Sequence, residues 1–202
     1  MIRDWVFLPA TEPDDTTYGV APARLDEAPE CRVHHVRFDS LVWYNRAVRR
    51  QAAGQIDAMG LSSFALVGFS KSGLGAINLA CELGRRVAAT VVFDAPVARL
   101  KLPPWDTEPF YAGDEDWLAD LPMANAATVR QTLPQSHRLI LISGEGFHDE
   151  MEAFSRRLDE LGLGHVFLPR PRMKHHWNSG WLAEAIAALR ADPMRHAKGE
   201  SQ

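Results

Sequence analysis

The chain is poor in cysteine, with 2 in 202 residues, and Cys31 and Cys81 lie far apart. That excludes a disulfide-stapled scaffold and a cysteine-based metal site, and free thiols in a reducing, cytoplasmic setting are the expectation. An excess of positive charge is also lacking, because 22 Lys and Arg stand against 26 Asp and Glu, for a formal net charge of -4. Without a basic footprint, neither nucleic acid nor an anionic membrane surface is an expected partner. The pairs Arg49-Arg50, Arg85-Arg86 and Arg156-Arg157 read as solvated helix faces. No apolar run approaches the roughly 20 residues that span a bilayer. The N-terminal stretch Ile2 to Leu8 is stopped by Pro9 and is too short for a secretory core. Low-complexity tracts and internal repeats are absent too.

What is present is an ordinary globular composition, 46% hydrophobic and 24% charged. The length suits one domain, expected over 1–191, with a polar tail at 192–202. Val-, Ile-, Leu- and Phe-rich runs at Asp4 to Leu8, Arg32 to Phe38, Phe64 to Val67, Ala88 to Phe93, Arg138 to Ile142 and His165 to Leu168 read as strands. Helical spacing fills Val42 to Met59, Ser72 to Leu83, Glu150 to Leu161 and Trp181 to Leu189. Strands alternating with helices predict an α/β fold, a mostly parallel sheet of about six strands with helices on both faces. Gly60, Gly84 and Gly162 follow helical stretches where a left-handed residue is wanted. The segment from Pro96 to Pro122, with Pro103, Pro104 and Pro109, breaks the rhythm and reads as an irregular lid or binding loop.

One turn carries chemistry. Phe64-Ala65-Leu66-Val67 runs into Gly68-Phe69-Ser70-Lys71-Ser72-Gly73, and a helical pattern follows at once. A serine at such a strand-to-helix turn is held in a strained conformation with its hydroxyl thrust out above the sheet. The helix start presents N–H groups to developing negative charge, which makes the backbone N–H of Lys71 an oxyanion donor. The Lys71 side chain is expected in solvent. This segment resembles the nucleophile elbow G-x-S-x-G of the α/β-hydrolases, with Ser72 in place of the last glycine. The rival motif is dinucleotide-binding, since Gly68, Ser70 and Gly73 sit near a G-x-G-x-x-G and Asp94 ends the next strand where a ribose-binding acid belongs. Against it, Ser70 replaces the glycine that admits the pyrophosphate, and no cofactor is expected. A phosphate-binding P-loop would need lysine where Leu74 stands.

The resemblance implies a small serine esterase-like hydrolase acting on a small-molecule acyl substrate through a Ser-His-Asp triad. It places the acid in the loop after the Arg138 to Ile142 strand, where Asp149 is the choice and Glu145 and Glu150 are substitutes. Asp149 also reads as a plain helix N-cap. The histidine belongs after the last strand, where His175-His176-Trp177 offers His175, with His176 as the alternative. A second oxyanion N–H would come from Ala10 or Thr11, in a segment that lacks the usual His-Gly. The two leading strands of larger members are missing, which implies a minimal version. Trp105, Phe110, Tyr111 and Trp117 are candidates to line an acyl pocket, though aromatics in a long loop also serve as its packing. The paired histidines His34-His35 and His175-His176 lack metal-ligand spacing, so no metal is expected. The alternative from another class is a non-catalytic scaffold of the same fold that binds a ligand or protein partner.

Overall fold

The computed structural model describes residues 2–11, 18–19 and 31–191. Its strands are β1 (Asp4–Phe7), β2 (Arg32–His35), β3 (Phe64–Phe69), β4 (Val87–Phe93), β5 (Arg138–Ile142) and β6 (Val166–Leu168). They form one 6-stranded sheet in the order β2-β1-β3-β4-β5-β6. Every neighbouring pair is parallel. A parallel sheet covered on both faces buries its central strands entirely, which is why Phe64 to Phe69 reads as a continuous apolar run. The helices are α1 (Arg46–Ala58), α2 (Lys71–Leu83), α3 (Asp114–Asp120), α4 (Ala126–Thr132), α5 (His148–Glu160) and α6 (Trp181–Arg190).

Successive strand residues feed opposite cores. Val6, Leu8, Phe64 and Leu66 join Ile56 of α1, Ile77 of α2, Val129 of α4 and Phe154 of α5 on one side. Trp5, Phe7, Ala65, Val67 and Phe69 meet Trp181, Ala185 and Ile186 of α6 on the other. Each such aliphatic side chain contributes about 1.5–3 kcal/mol by leaving water. A third cluster of Trp43, Leu74, Tyr111, Trp117 and Leu121 fastens the excursion after β4 to the body.

The helices depart from the sequence reading by more than two residues in two places, at the first helix and in the segment after β4. The first helix begins at Arg46 rather than Val42, because the Asn45 side chain accepts from the Val48 N–H at 3.0 Å and caps it, while Trp43 and Tyr44 turn into the core. The stretch 96–122 is not wholly irregular, since it contains α3, and α4 follows it. Asp114, Glu115 and Asp116 favour the start of α3 through the helix dipole. Inward-facing Trp117 supplies the burial that such short helices need.

The chain reverses its direction of travel across the sheet at β1: β2 is laid down on one side of it and β3 on the other. In open α/β sheets the crevice beyond the carboxyl ends of strands at such a reversal is where ligands bind. The residues that open that crevice are those after Phe7 and after Phe69, namely Leu8 to Thr11 and Ser70.

Candidate active site

Ser70 has φ 54 and ψ -128 as the chain leaves β3 and enters α2. A non-glycine residue held there costs on the order of 1–3 kcal/mol and persists only where its surroundings over-determine it. They do so here. The Ser70 N–H donates to Phe93 O at 3.0 Å and the Gly73 N–H donates to Ser70 O at 2.9 Å. The fully buried Ser72 hydroxyl donates to Phe69 O at 2.8 Å and accepts from the Phe69 N–H at 2.9 Å, which gives the departure from glycine at this position a structural use. At Gly73 a Cβ would lie 2.7 Å from the Ala95 Cβ and 2.8 Å from Val92 Cγ1, so only glycine lets α2 pack this closely on the end of β4.

The strand beside the elbow ends in a second strained residue. Asp94 directly follows β4 with φ 41, a left-handed conformation that aspartate tolerates better than most. Its side chain is 0% exposed, and both oxygens are filled. Oδ1 accepts from the Gly144 and Phe147 N–H groups, each at 2.8 Å, and Oδ2 accepts from the Gly146 N–H at 3.0 Å. These donors wrap the carboxylate at the N-terminal end of α5, where the helix dipole also favours negative charge. The remaining contact of Oδ2 is His175 Nδ1, at 2.6 Å.

His175 arrives from the loop between β6 and α6. The loop is pinned at its base, where Arg170 donates to Glu184 through Nε at 2.9 Å and through its backbone N–H to Ser143 Oγ at 2.8 Å. Further along, the Glu145 N–H donates to Met173 O at 2.8 Å. The imidazole stands among three rings, with centroids 4.5 Å from Phe69, 5.3 Å from Tyr18 and 5.4 Å from Phe147. Phe69 immediately precedes Ser70, so the face of the imidazole is fixed beside the elbow. Among the described residues no hydrogen bond joins Ser70 to His175; such bonds often tighten only when substrate is bound.

The carboxylate that meets the imidazole is therefore Asp94, not Asp149. Asp149 lies exposed in the first turn of α5, and Phe147, not Asp149, occupies the N-cap. The loop after β5 serves this site with its backbone N–H groups, while the acid itself comes from the end of β4. Glu145 pairs with Lys174 Nζ at 3.0 Å on the surface, and the hydrogen bond from that ammonium holds its carboxyl below the usual range. Glu150 is bound to Arg99. His176 accepts from the Asn178 N–H at 3.1 Å, and among the described residues no carboxylate meets it.

Lys71 opens α2 with its backbone at the helix N-terminus, but its side chain is 8% exposed rather than solvated, and its ammonium lies 5.7 Å over the Trp43 ring. Thr11 lies half-buried beyond β1, in a segment fixed by the Tyr44 hydroxyl, which donates to Pro9 O at 2.7 Å. Of the four aromatic candidates, Tyr111 and Trp117 are packed into the third core cluster, and Phe110 packs against it. They anchor the excursion instead of lining a pocket. Trp105 alone is exposed, at 42%. Asp94, offered by the sequence only as a ribose-binding acid at the end of a strand, is the carboxylate that meets His175. Among the described residues no cluster of His, Cys, Asp or Glu could hold a metal ion, and no helix is long and apolar enough to cross a membrane.

No family model and no curated protein matches the sequence. Solved structures do match the fold. MPT51 (FbpC1) of Mycobacterium tuberculosis superposes with a TM-score of 0.69 at 15% identity, covering 93% of this chain and 90% of that one. Fluorophosphonate-binding serine hydrolase F of Staphylococcus aureus gives 0.65 at 16% identity, covering 95% and 84%. Dipeptidyl peptidase 4 of Porphyromonas gingivalis gives 0.60 at 12% identity, and there the chain covers 30% of the larger protein. With its all-parallel sheet and this strand order, the chain has the α/β-hydrolase fold.

Proposed function

We propose that the protein is a serine hydrolase that cleaves a carboxylic ester, thioester or related acyl bond through an acyl-enzyme, with Ser70 as nucleophile, His175 as base and Asp94 as the acid that orients it. The observation that carries this reading is the 2.6 Å contact between His175 Nδ1 and the buried Asp94 carboxylate, on an imidazole packed at a tilt against the ring of the residue before Ser70.

A serine hydroxyl attacks poorly at neutral pH unless a base takes its proton. With Nδ1–H directed at Asp94, Nε2 is the nitrogen left to accept that proton, and Asp94 stabilises the imidazolium that forms. As Oγ bonds to the acyl carbon, the carbonyl oxygen becomes an oxyanion, for which the Lys71 N–H and an N–H from the Ala10 to Thr11 segment are the donors. The imidazolium then returns its proton to the leaving oxygen or sulfur as that bond breaks. Water, deprotonated by the same Nε2, attacks the acyl-enzyme, and the proton goes back to Ser70 Oγ as the acid is released. A fluorophosphonate probe tests the reading: wild type should be labelled, Ser70→Ala should not, and wild type that stays unlabelled would favour a non-catalytic scaffold.

A further inference from the structure

We propose that Trp105 and Phe147 form an aromatic shelf that binds a flat apolar leaving group, the alcohol or thiol half of the substrate, and this rests on the triad reading above. The side of the site follows from the chemistry. In acylation His175 must hand its proton to the leaving atom, so the leaving group lies against the imidazole, whereas the acyl chain extends away from it. Phe69, Tyr18 and Phe147 all border the imidazole, but Phe69 is fully buried. A less buried ring that borders His175 and carries a second, exposed ring beyond it is the one placed to meet the leaving group. Phe147 is that ring, at 5.4 Å, and Trp105 continues the surface in an edge-to-face contact with Phe147 at 5.9 Å.

Trp105 is exposed yet rigidly mounted. The Arg99 guanidinium lies 4.7 Å over its ring and 5.7 Å from that of Phe147, so one cation serves both. Arg99 is itself held by Glu150 Oε1, which accepts from Nη2 at 2.6 Å and Nε at 2.9 Å. The backbone on either side is tied as well, with Trp43 Nε1 donating to Trp105 O at 2.9 Å and Trp117 Nε1 donating to Arg99 O at 2.6 Å. Asp106, next in the chain, is held at φ 54. A large aromatic fixed this firmly, and left uncovered one ring beyond the histidine, is preorganised for a ligand ring at low entropic cost.

Two ester series separate this from its rivals. With the butyryl group constant, Trp105→Ala should raise KM for the 2-naphthyl ester about 3- to 10-fold, the size of one aromatic contact, and leave the ethyl ester within about twofold of wild type. Trp105→Phe should recover most of the loss. With p-nitrophenol as the constant leaving group, the ratio of variant to wild type should stay flat from acetate to octanoate. A deficit that grows with acyl length would overturn the proposal by making Trp105 an acyl wall, and so would indifference to the leaving group. Ser70 labelling by a small ethyl fluorophosphonate distinguishes the two failures: normal labelling with a silent Trp105 sinks the shelf alone, and no labelling of wild type sinks the shelf together with the triad.

Discussion

Gly146 and His175 approach so closely that a Cβ on Gly146 would sit 2.9 Å from His175 Nδ1 and 3.0 Å from Asp94 Oδ2. The glycine N–H also donates to that same carboxylate oxygen, so the residue is both ligand and spacer. In Gly146→Ala the N–H survives but the imidazole and carboxylate must separate by several tenths of an ångström. Misplacement near 1 Å costs about 100-fold, so kcat should fall between about 10- and 100-fold with little change in the melting temperature. Steady-state kinetics beside a thermal melt make the comparison, and an unchanged kcat would mean that the pair tolerates the displacement.

Exchanging carboxylates tests the acid directly. Asp94→Asn keeps the shape but presents the wrong partner to Nδ1, and kcat should drop on the order of 10,000-fold, as expected when an orienting acid is lost. Asp149→Asn should turn over p-nitrophenyl butyrate at nearly the wild-type rate, because its exposed carboxylate lies off the imidazole. His175→Ala should abolish turnover and His176→Ala should not. Equal losses at Asp94 and Asp149 would overturn the assignment.

The parallel six-stranded sheet and the strand-to-helix turn at Ser70 were legible in the sequence for physical reasons. A doubly covered parallel strand must be apolar throughout, so Phe64 to Val67 announced itself, though the strand runs on to Phe69, and an elbow needs small residues around its serine. Asp94 was legible as an acid ending a strand, but only as the ribose-binding acid of a dinucleotide motif, because residue type alone does not tell which side chain will fold onto it. What the loop after β5 contributes is three backbone N–H groups from Gly144, Gly146 and Phe147, and a backbone donor leaves no mark on side-chain chemistry. Tyr111 and Trp117 read as pocket or packing alike until Trp43 and Leu74, distant in the chain, close around them.

Away from the site, Arg49 on α1 is 6% exposed and joins three helices, reaching Glu82 of α2 at 2.7 Å and Asp120 of α3 at 2.8 Å. Arg49→Leu leaves the largely buried Asp120 and the more exposed Glu82 without their cation, at a cost of about 1.5–3 kcal/mol, the worth of hydrogen bonds to charged groups. The loss should depend on pH. Burial already raises the Asp120 pKa, with Arg49 pulling it back down, so removing the arginine raises it further. A raised acid binds its proton more tightly when folded, so the variant loses stability as pH rises above the unfolded value of about 3.9. Urea melts should show the widest gap from wild type near pH 7 and a narrowing gap toward pH 4. A gap independent of pH would show that packing, not charge, is what the arginine provides.

Ser72 offers a test of what holds the nucleophile in its strained turn. Its hydroxyl closes a small ring with both backbone groups of Phe69, one residue before Ser70, and it is fully buried, so no water replaces it. Ser72→Ala leaves the Phe69 N–H without that acceptor, at a cost of about 1–3 kcal/mol. If the tie also helps keep Ser70 at φ 54, kcat should fall by more than KM changes, since substrate contacts are untouched and only the hydroxyl's aim is lost. Ser72→Gly should lose the same hydrogen bonds while adding no bulk. Two variants equally impaired in kcat would assign the effect to the missing hydroxyl, whereas full activity in both would show that Gly73 and the Phe93 carbonyl hold the elbow without it.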